Sequence, residues 1–111
     1  MRRRGRVDEN HAAIVSLLRE FGCSVANTSG VGDGFPDAMC GVHGVTHLIE
    51  IKNGELAASR RRLSDDEREW HATWRGEPVY IVESLRGAEE LVRKWYRDAA
   101  KPGDDEWGIV K

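Results

Sequence analysis

Residues 34–54, GFPDAMCGVHGVTHLIEIKNG, decide the fold of this chain. Two short runs of apolar and β-branched residues flank a His-Gly dipeptide at 43–44, which is typical of a tight turn. The stretch therefore predicts a β-hairpin with strands over 37–42 and 45–52. Pro36 fits the opening of the first strand, because proline cannot lie within a central one.

Three charged side chains lie in this hairpin, where an apolar sheet is expected. Because side chains alternate between the faces of a strand, Glu50 and Lys52 share one face while Ile49 and Ile51 point into the core. Pairing through the turn places Asp37 roughly opposite Glu50. We therefore expect the two carboxylates to lie within a few ångströms of each other, with Lys52 one step along.

Two carboxylates at this separation repel unless a cation lies between them. A divalent ion such as Mg²⁺ accepts both, together with the backbone carbonyl of Ile51, and usually keeps several waters. One such water, oriented by Lys52, would suit the hydrolysis of a phosphodiester. The alternative is that Glu50 and Lys52 form a plain surface pair on an edge strand, where charges prevent aggregation.

The rest of the chain predicts a mixed sheet flanked by helices, in the order αβββαβα, which is an α/β domain. The further elements are a helix over 8–21 with Asp8 as N-cap, a strand over 23–28, a helix that starts in a Ser64–Glu67 capping box and stops at Gly76, a buried strand over 79–82 and a helix over 85–97. One domain is expected over 1–97, with a basic arm at 1–6 and an acidic tail at 98–111.

Pro36-Asp37 followed by Glu50-Ile51-Lys52 resembles the signature of the PD-(D/E)XK nuclease superfamily in its Glu-X-Lys form. The resemblance implies a restriction-endonuclease-like core. It also implies that Asp37 and Glu50 bind Mg²⁺, for which Mn²⁺ substitutes. Lys52 would position the attacking water or stabilise the charge that develops on the phosphate.

Other features, over about residues 7–92, are similar to the VRR-NUC branch of that superfamily, whose small phage and bacterial nucleases are related in their core to Holliday junction resolvases. They are a Gly-rich loop before Pro-Asp and a helix of the form Leu-Ser-x-x-Glu-x-x-Trp-His after a basic loop. Glu9 matches the acid of the first helix, which implies a further metal ligand or a water-bridged contact; the alternative is an exposed acid favoured by the helix dipole. Glu67 is a weaker site candidate, because it also serves the capping box.

The basic run of Arg60, Arg61 and Arg62 follows the motif strand closely. Arginines in that position would neutralise DNA phosphates near the scissile bond, whereas the alternative is a solvated charged face. The net charge of −2 gives no general positive field. The relatives suggest a homodimer that acts on branched DNA.

No apolar run is long enough for a membrane span, and the basic N-terminus lacks the apolar stretch of a secretory signal. Cys23 and Cys40 are expected to be free buried thiols of a reducing compartment. We therefore expect a cytoplasmic protein, in the host cytoplasm if phage-encoded. The glycine-rich run at 30–34 opens no helix directly, so it predicts no dinucleotide, and no organic cofactor is expected.

Two other groups of residues are open to more than one interpretation. Cys40, His43 and His47 have spacing reminiscent of zinc ligands, but the sequence supplies no obvious fourth ligand. Trp70 and Trp74, four residues apart on a helix, favour a place in the core over a platform for stacking bases.

Together these features predict a metal-dependent DNA endonuclease that selects branched, flapped or junction DNA. The main alternative is a non-catalytic DNA-binding module on the same fold, in which Asp37, Glu50 and Lys52 serve structure. A structural or regulatory protein that needs neither metal nor DNA is the third possibility.

Overall fold

A computed structural model of the protein describes residues 10–99 and gives a mixed α/β fold with a four-stranded sheet and three helices. The elements, in chain order, are α1 (His11–Glu20), β1 (Ser24–Asn27), β2 (Ala38–Val42), β3 (Val45–Ile51), a 3₁₀ turn (Ala58–Arg60), α2 (Asp65–Thr73), β4 (Tyr80–Val82) and α3 (Leu85–Ala99). The predicted order of helices and strands is therefore confirmed.

The central hairpin has the predicted register. β2 and β3 pair antiparallel with Ala38 opposite Ile49, so that Asp37, one residue earlier, lies beside Glu50. His43 and Gly44 both have positive φ, as the tightest hairpin turns require. Beyond β3 the sheet continues with β4, which is parallel to it, and β1 forms the other edge. Because β3 is an interior strand, the interpretation of its charges as an edge-strand pair is wrong.

The two faces of the sheet differ in what covers them. α1 and α3 pack on the face that carries Ile49 and Ile51, and the buried core lies there. Its other members include Ile14, Leu18, Ala38, Cys40, Val82, Ala88, Val92 and Trp95. α2 lies over the opposite face, where it contributes partners for Glu50 and Lys52. The apolar face thus anchors the strand whose other face carries the charges.

Two predictions about burial are wrong. The side chain of Ile81 in β4 is 49% exposed, because β4 is an edge strand and α2 only partly covers that face. Trp74 is 44% exposed, and α2 has no buried residue. Helix α2 also ends at Thr73 rather than near Gly76, since the backbone of Trp74 is extended.

The start of α1 differs from the prediction as well. Its N-cap is Asn10, not Asp8, and the Asn10 side chain makes no capping hydrogen bond. Its amide instead donates to the carbonyl oxygens of Lys52 at 2.9 Å and Glu83 at 3.2 Å, which ties α1 to the ends of β3 and β4. Glu9 and the arm at 1–6 lie outside the described residues. The predicted tail at 98–111 begins too early, because α3 continues to Ala99, and its remainder from residue 100 onward is also outside the described residues.

Other expectations can be compared directly with the structure. Cys23 and Cys40 are free and buried, as predicted, and burial raises the pKa of both thiols. Over residues 10–99, no helix combines the length and the apolar character that a membrane crossing requires.

The glycine-rich loop before β2 packs closely against α2 at one point. Gly34 has φ +84°, and a Cβ there would lie 2.3 Å from the backbone oxygen of Asp66. Gly32 has a similar φ of +86° but has nothing within 4 Å of its Cβ position. The loop therefore needs glycine at 34 both for its conformation and for the contact that holds it to α2.

We expect Gly34→Ala to destabilise the protein more than Gly32→Ala. Both variants place an alanine at positive φ, at a cost of about 1 kcal/mol, but only Gly34→Ala adds the collision with α2, worth about 1–3 kcal/mol more. Urea unfolding of the two variants measures the difference. Equal losses of stability would mean that the loop does not pack on α2.

Candidate active site

Asp37 is held at the start of β2 by contacts on both sides. Its Oδ2 accepts a hydrogen bond of 2.8 Å from the backbone N–H of Ile51, and its backbone oxygen accepts one of 2.8 Å from the N–H of Thr28. In an antiparallel ladder the N–H and C=O of one residue point to the same neighbour. The carbonyl of Ile51 therefore faces the side on which the Asp37 carboxylate lies.

Glu50 is a carboxyl group buried in the middle of the sheet, with a side chain that is 1% exposed. Its Oε2 lies 3.6 Å from Nζ of Lys52. Its Oε1 has no hydrogen-bond partner among the described residues. Burying a polar atom without a hydrogen-bond partner costs free energy. A bound ion or water commonly offsets that cost.

The surroundings of Glu50 oppose its negative charge. Burial, then the charge of Asp37, then the hydrogen bond and charge of Glu67 raise its pKa from 4.5 to about 10, although Lys52 acts in the opposite direction. The positive charge of Lys52 therefore does not offset the combined effect of burial and of the two neighbouring carboxylates on the pKa of Glu50. The site has more negative charge than its own cation balances.

Glu67 from α2 completes the cluster. Its carboxylate also takes part in the capping box of α2. Its Oε1 accepts hydrogen bonds from Nζ of Lys52 at 3.0 Å and from the N–H of Ser64 at 2.9 Å. Burial opposes ionisation, but the bonds from Ser64, Glu50 and Lys52 prevail and lower the pKa of Glu67. The predicted capping box is confirmed, and the structure also brings Glu67 to the predicted triad.

His71 belongs to this cluster and was missed from the sequence. Its Nε2 lies 3.8 Å from Oε1 of Glu50, and neither atom has a hydrogen-bond partner within residues 10–99. Burial lowers the pKa of His71 against the opposing effect of Glu67, which favours the neutral imidazole. The sequence does contain an indication of this placement: His71 follows Glu67 by four residues, so both side chains lie on the same side of α2.

The donor atoms of these side chains determine whether the site can hold a divalent cation. Within residues 10–99, no group of three or more Asp, Glu, His or Cys side chains is arranged to hold a metal. The predicted ligand set is smaller than that, because it contains two carboxylates and the Ile51 carbonyl, and Mg²⁺ usually keeps several waters. The donors are oxygen atoms, and Oε1 of Glu50 is buried without a hydrogen-bond partner in residues 10–99, so this set suits such an ion.

The three arginines after the hairpin differ in their environments. Arg61 is committed within the protein, since its Nη1 pairs with Oε2 of Glu83 at 3.1 Å and its Nε donates to the oxygen of Leu56 at 2.9 Å. Arg60 and Arg62 are exposed. The predicted basic surface is therefore carried by Arg60 and Arg62.

The three residues with zinc-like spacing, Cys40, His43 and His47, have other environments. Cys40 is fully buried in the core, and His43 packs edge-on against Tyr96 in the turn. His47 stacks on Trp95 with ring centroids 4.0 Å apart, and its Nδ1 lies 2.7 Å from a Glu77 oxygen. They form no three-ligand group in the part of the chain described.

Comparison with known proteins adds no relative: no protein-family model matches the chain, and neither a curated protein nor a solved structure matches it significantly.

We expect Glu50→Gln to stabilise the metal-free protein increasingly as pH rises. A pKa raised from 4.5 to about 10 in the folded state favours folding only while Glu50 is protonated, so its contribution is lost progressively between these two values. The variant escapes that loss, which amounts to at most about 1.4 kcal/mol per pH unit.

Thermal unfolding in EDTA at pH 5, 7 and 8.5 measures the effect, with the exposed Glu69→Gln on α2 as the matched control. The melting temperature of Glu50→Gln should move above that of the wild type as pH increases, whereas Glu69→Gln should follow the wild type. A variant that is less stable by the same amount at every pH would identify Glu50 as a structural ion-pair partner of Lys52 instead.

Proposed function

We propose that this protein is a Mg²⁺-dependent DNA endonuclease of the PD-(D/E)XK type, similar to the VRR-NUC branch, in which Mn²⁺ replaces Mg²⁺. The observation that carries the proposal is the Glu50 carboxyl group, which is buried beside Asp37 and Lys52 with one oxygen unpartnered. A fold that needed only a stable sheet would place an apolar residue there, because burying a carboxyl group costs free energy. Retaining one there is typical of a functional site.

The residues of the site would have different roles in phosphodiester hydrolysis. Asp37, Glu50 and the Ile51 carbonyl would hold the cation, and Glu9, outside the described residues, is proposed as a further contact. The ion would supply Lewis-acid stabilisation of the phosphate and lower the pKa of a water. Lys52, held by Glu67 at 3.0 Å, would orient the attacking water or stabilise the negative charge on the phosphate.

Positioning contributes to the rate because the groups are fixed before substrate arrives. Asp37 is held by the N–H of Ile51, and Lys52 by Glu67, whose own position is set by the capping box of α2. Neutral His71 stands next to the unpartnered oxygen of Glu50, where its nitrogen can accept a hydrogen bond from a water or a protonated carboxyl group. We assign it a positioning role.

Branched, flapped or junction DNA is the proposed substrate class, and a homodimer acting in the cytoplasm is the proposed assembly. The exposed Arg60 and Arg62 would contact phosphates irrespective of sequence. Selection would then follow the shape of the DNA.

We expect the wild type to cleave at least one of linear, flapped and four-way DNA in Mg²⁺ or Mn²⁺ and none of them in EDTA. Glu50→Ala and Lys52→Met should each lower the cleavage rate at least a hundredfold, because each removes a group that acts on the reacting phosphate. Glu69→Gln serves as the control and should retain the full rate. Gel-resolved cleavage under single-turnover conditions measures these rates.

The outcomes separate the candidate functions. Cleavage that persists in Glu50→Ala would contradict the site assignment. DNA binding without cleavage of any substrate by the wild type would favour the non-catalytic DNA-binding module, and the absence of both would favour a structural or regulatory protein.

We expect the double variant Arg60→Ala, Arg62→Ala to weaken binding to all DNA sequences alike and to flatten its salt dependence. The slope of log K against log salt should fall by about 0.7–0.9 for each phosphate that the variant no longer neutralises. Arg61→Ala should instead lower the melting temperature, since it breaks the pair with Glu83. Anisotropy titrations at several salt concentrations in EDTA test the double variant, and thermal melts test Arg61→Ala. An unchanged slope in the double variant would contradict the DNA-binding role.

A further inference from the structure

Three aromatic rings, contributed by α2, its C-cap residue and the loop before β2, form a cluster. The indoles of Trp70 and Trp74 stack with centroids 4.7 Å apart and planes at 18°, and Phe35 meets Trp70 edge-on at 5.1 Å. Trp74 remains 44% exposed. A large aromatic side chain at this exposure leaves apolar surface in contact with water, and that surface is open to a ligand.

This aromatic cluster lies beside the candidate active site. Trp70 follows Glu67 by three residues and Trp74 follows His71 by three, and residues at this spacing are neighbours on a helix surface. Phe35 precedes Asp37 by two residues, and the close approach of Gly34 to α2 holds it there. The rings therefore border the cluster of charged groups that we propose to act on phosphate.

The indole of Trp74 is in close contact with the backbone at Gly76 and is partly exposed elsewhere. Gly76 lies against that ring, and a Cβ at this position would approach its Nε1 to 2.7 Å. Glycine thus keeps a side chain away from the ring. The neighbouring Arg75 is exposed and can meet a phosphate of a strand that reaches the ring.

We propose that Trp74, supported by Trp70 and Phe35, stacks against an unpaired nucleobase of the DNA substrate. The inference rests on the proposed function and specifies it, because a base inside a duplex has both faces covered and cannot reach such a ring. Aromatic side chains bind single-stranded DNA in this way whatever the base, since every base has a π-face. The substrate is accordingly DNA with a single-stranded flap or an unpaired junction nucleotide next to the scissile phosphate.

Binding measured without catalysis tests the proposal. The full-length wild type, Trp74→Ala and Trp74→Phe are titrated in EDTA with a labelled flapped DNA, a single-stranded oligothymidine and a blunt duplex, with anisotropy and tryptophan fluorescence as readouts. Val45→Ala is the control, because Val45 is equally exposed at 44% but lies at the hairpin turn, at the far end of β3 from the site. Thermal melts establish that each variant is folded.

We expect Trp74→Ala to weaken binding of the flap and the oligothymidine about tenfold, and Trp74→Phe to restore most of it. Binding of the blunt duplex should be unchanged in both variants, and quenching of tryptophan fluorescence by oligothymidine should be smaller in Trp74→Ala. Val45→Ala should behave as the wild type does. This pattern would support stacking on an unpaired base.

Three results would overturn the proposal: an equal loss on duplex and single strand, no loss on either, or a shift from dimer to monomer in sedimentation without a change in DNA binding. The last would identify the cluster as an interface between copies of the chain. Failure of the proposed function is seen separately in the wild type with Mg²⁺. If Trp74→Ala binds and cleaves flapped DNA normally, the stacking proposal is contradicted and the nuclease proposal is not. If Trp74 supports binding of unpaired DNA but the wild type cleaves no substrate, the nuclease proposal is contradicted and the stacking proposal is not.

Discussion

The Glu50 carboxyl group is buried in the sheet next to Asp37 and Glu67, with Lys52 as its neighbouring cation. Glu50 lies on an interior strand, and its pKa of about 10 reports how strongly burial and its acidic neighbours oppose ionisation. The fold tolerates this because the other face of β3 carries Ile49 and Ile51, both almost completely buried. The apolar face thus offsets the cost of the polar one, and the same strand serves the core and the site.

The position of α2 follows from contacts around this site. No residue of the helix is fully buried. It is attached through the ion pair between Lys52 and Glu67, the close approach of the Gly34 backbone and the edge-on contact of Trp70 with Phe35. These contacts leave the indole of Trp74 partly exposed, which makes it available as a surface.

Much of the candidate site could be predicted from local patterns. Alternation within the hairpin and the His-Gly turn fix the register, and the register brings Asp37 to Glu50 without any knowledge of the remaining chain. The capping box fixed the start of α2 in the same way, since Ser64 and Glu67 interact within four residues. These features depend on backbone geometry over short separations, where few alternatives compete.

Local patterns do not predict the environments of His71, Arg61 and Trp74. Whether His71 meets Glu50, whether Arg61 faces solvent or Glu83, and whether Trp74 is covered all depend on how α2 and its flanking loops lie on the sheet. The sequence by itself determined the hairpin, its register and the three charges on it, because period-two alternation and turn chemistry are local. Tertiary packing makes β3 an interior strand, leaves an oxygen of Glu50 without a partner, and leaves the indole of Trp74 partly exposed. Those outcomes depend on contacts between segments far apart in the chain, whose packing no local pattern specifies.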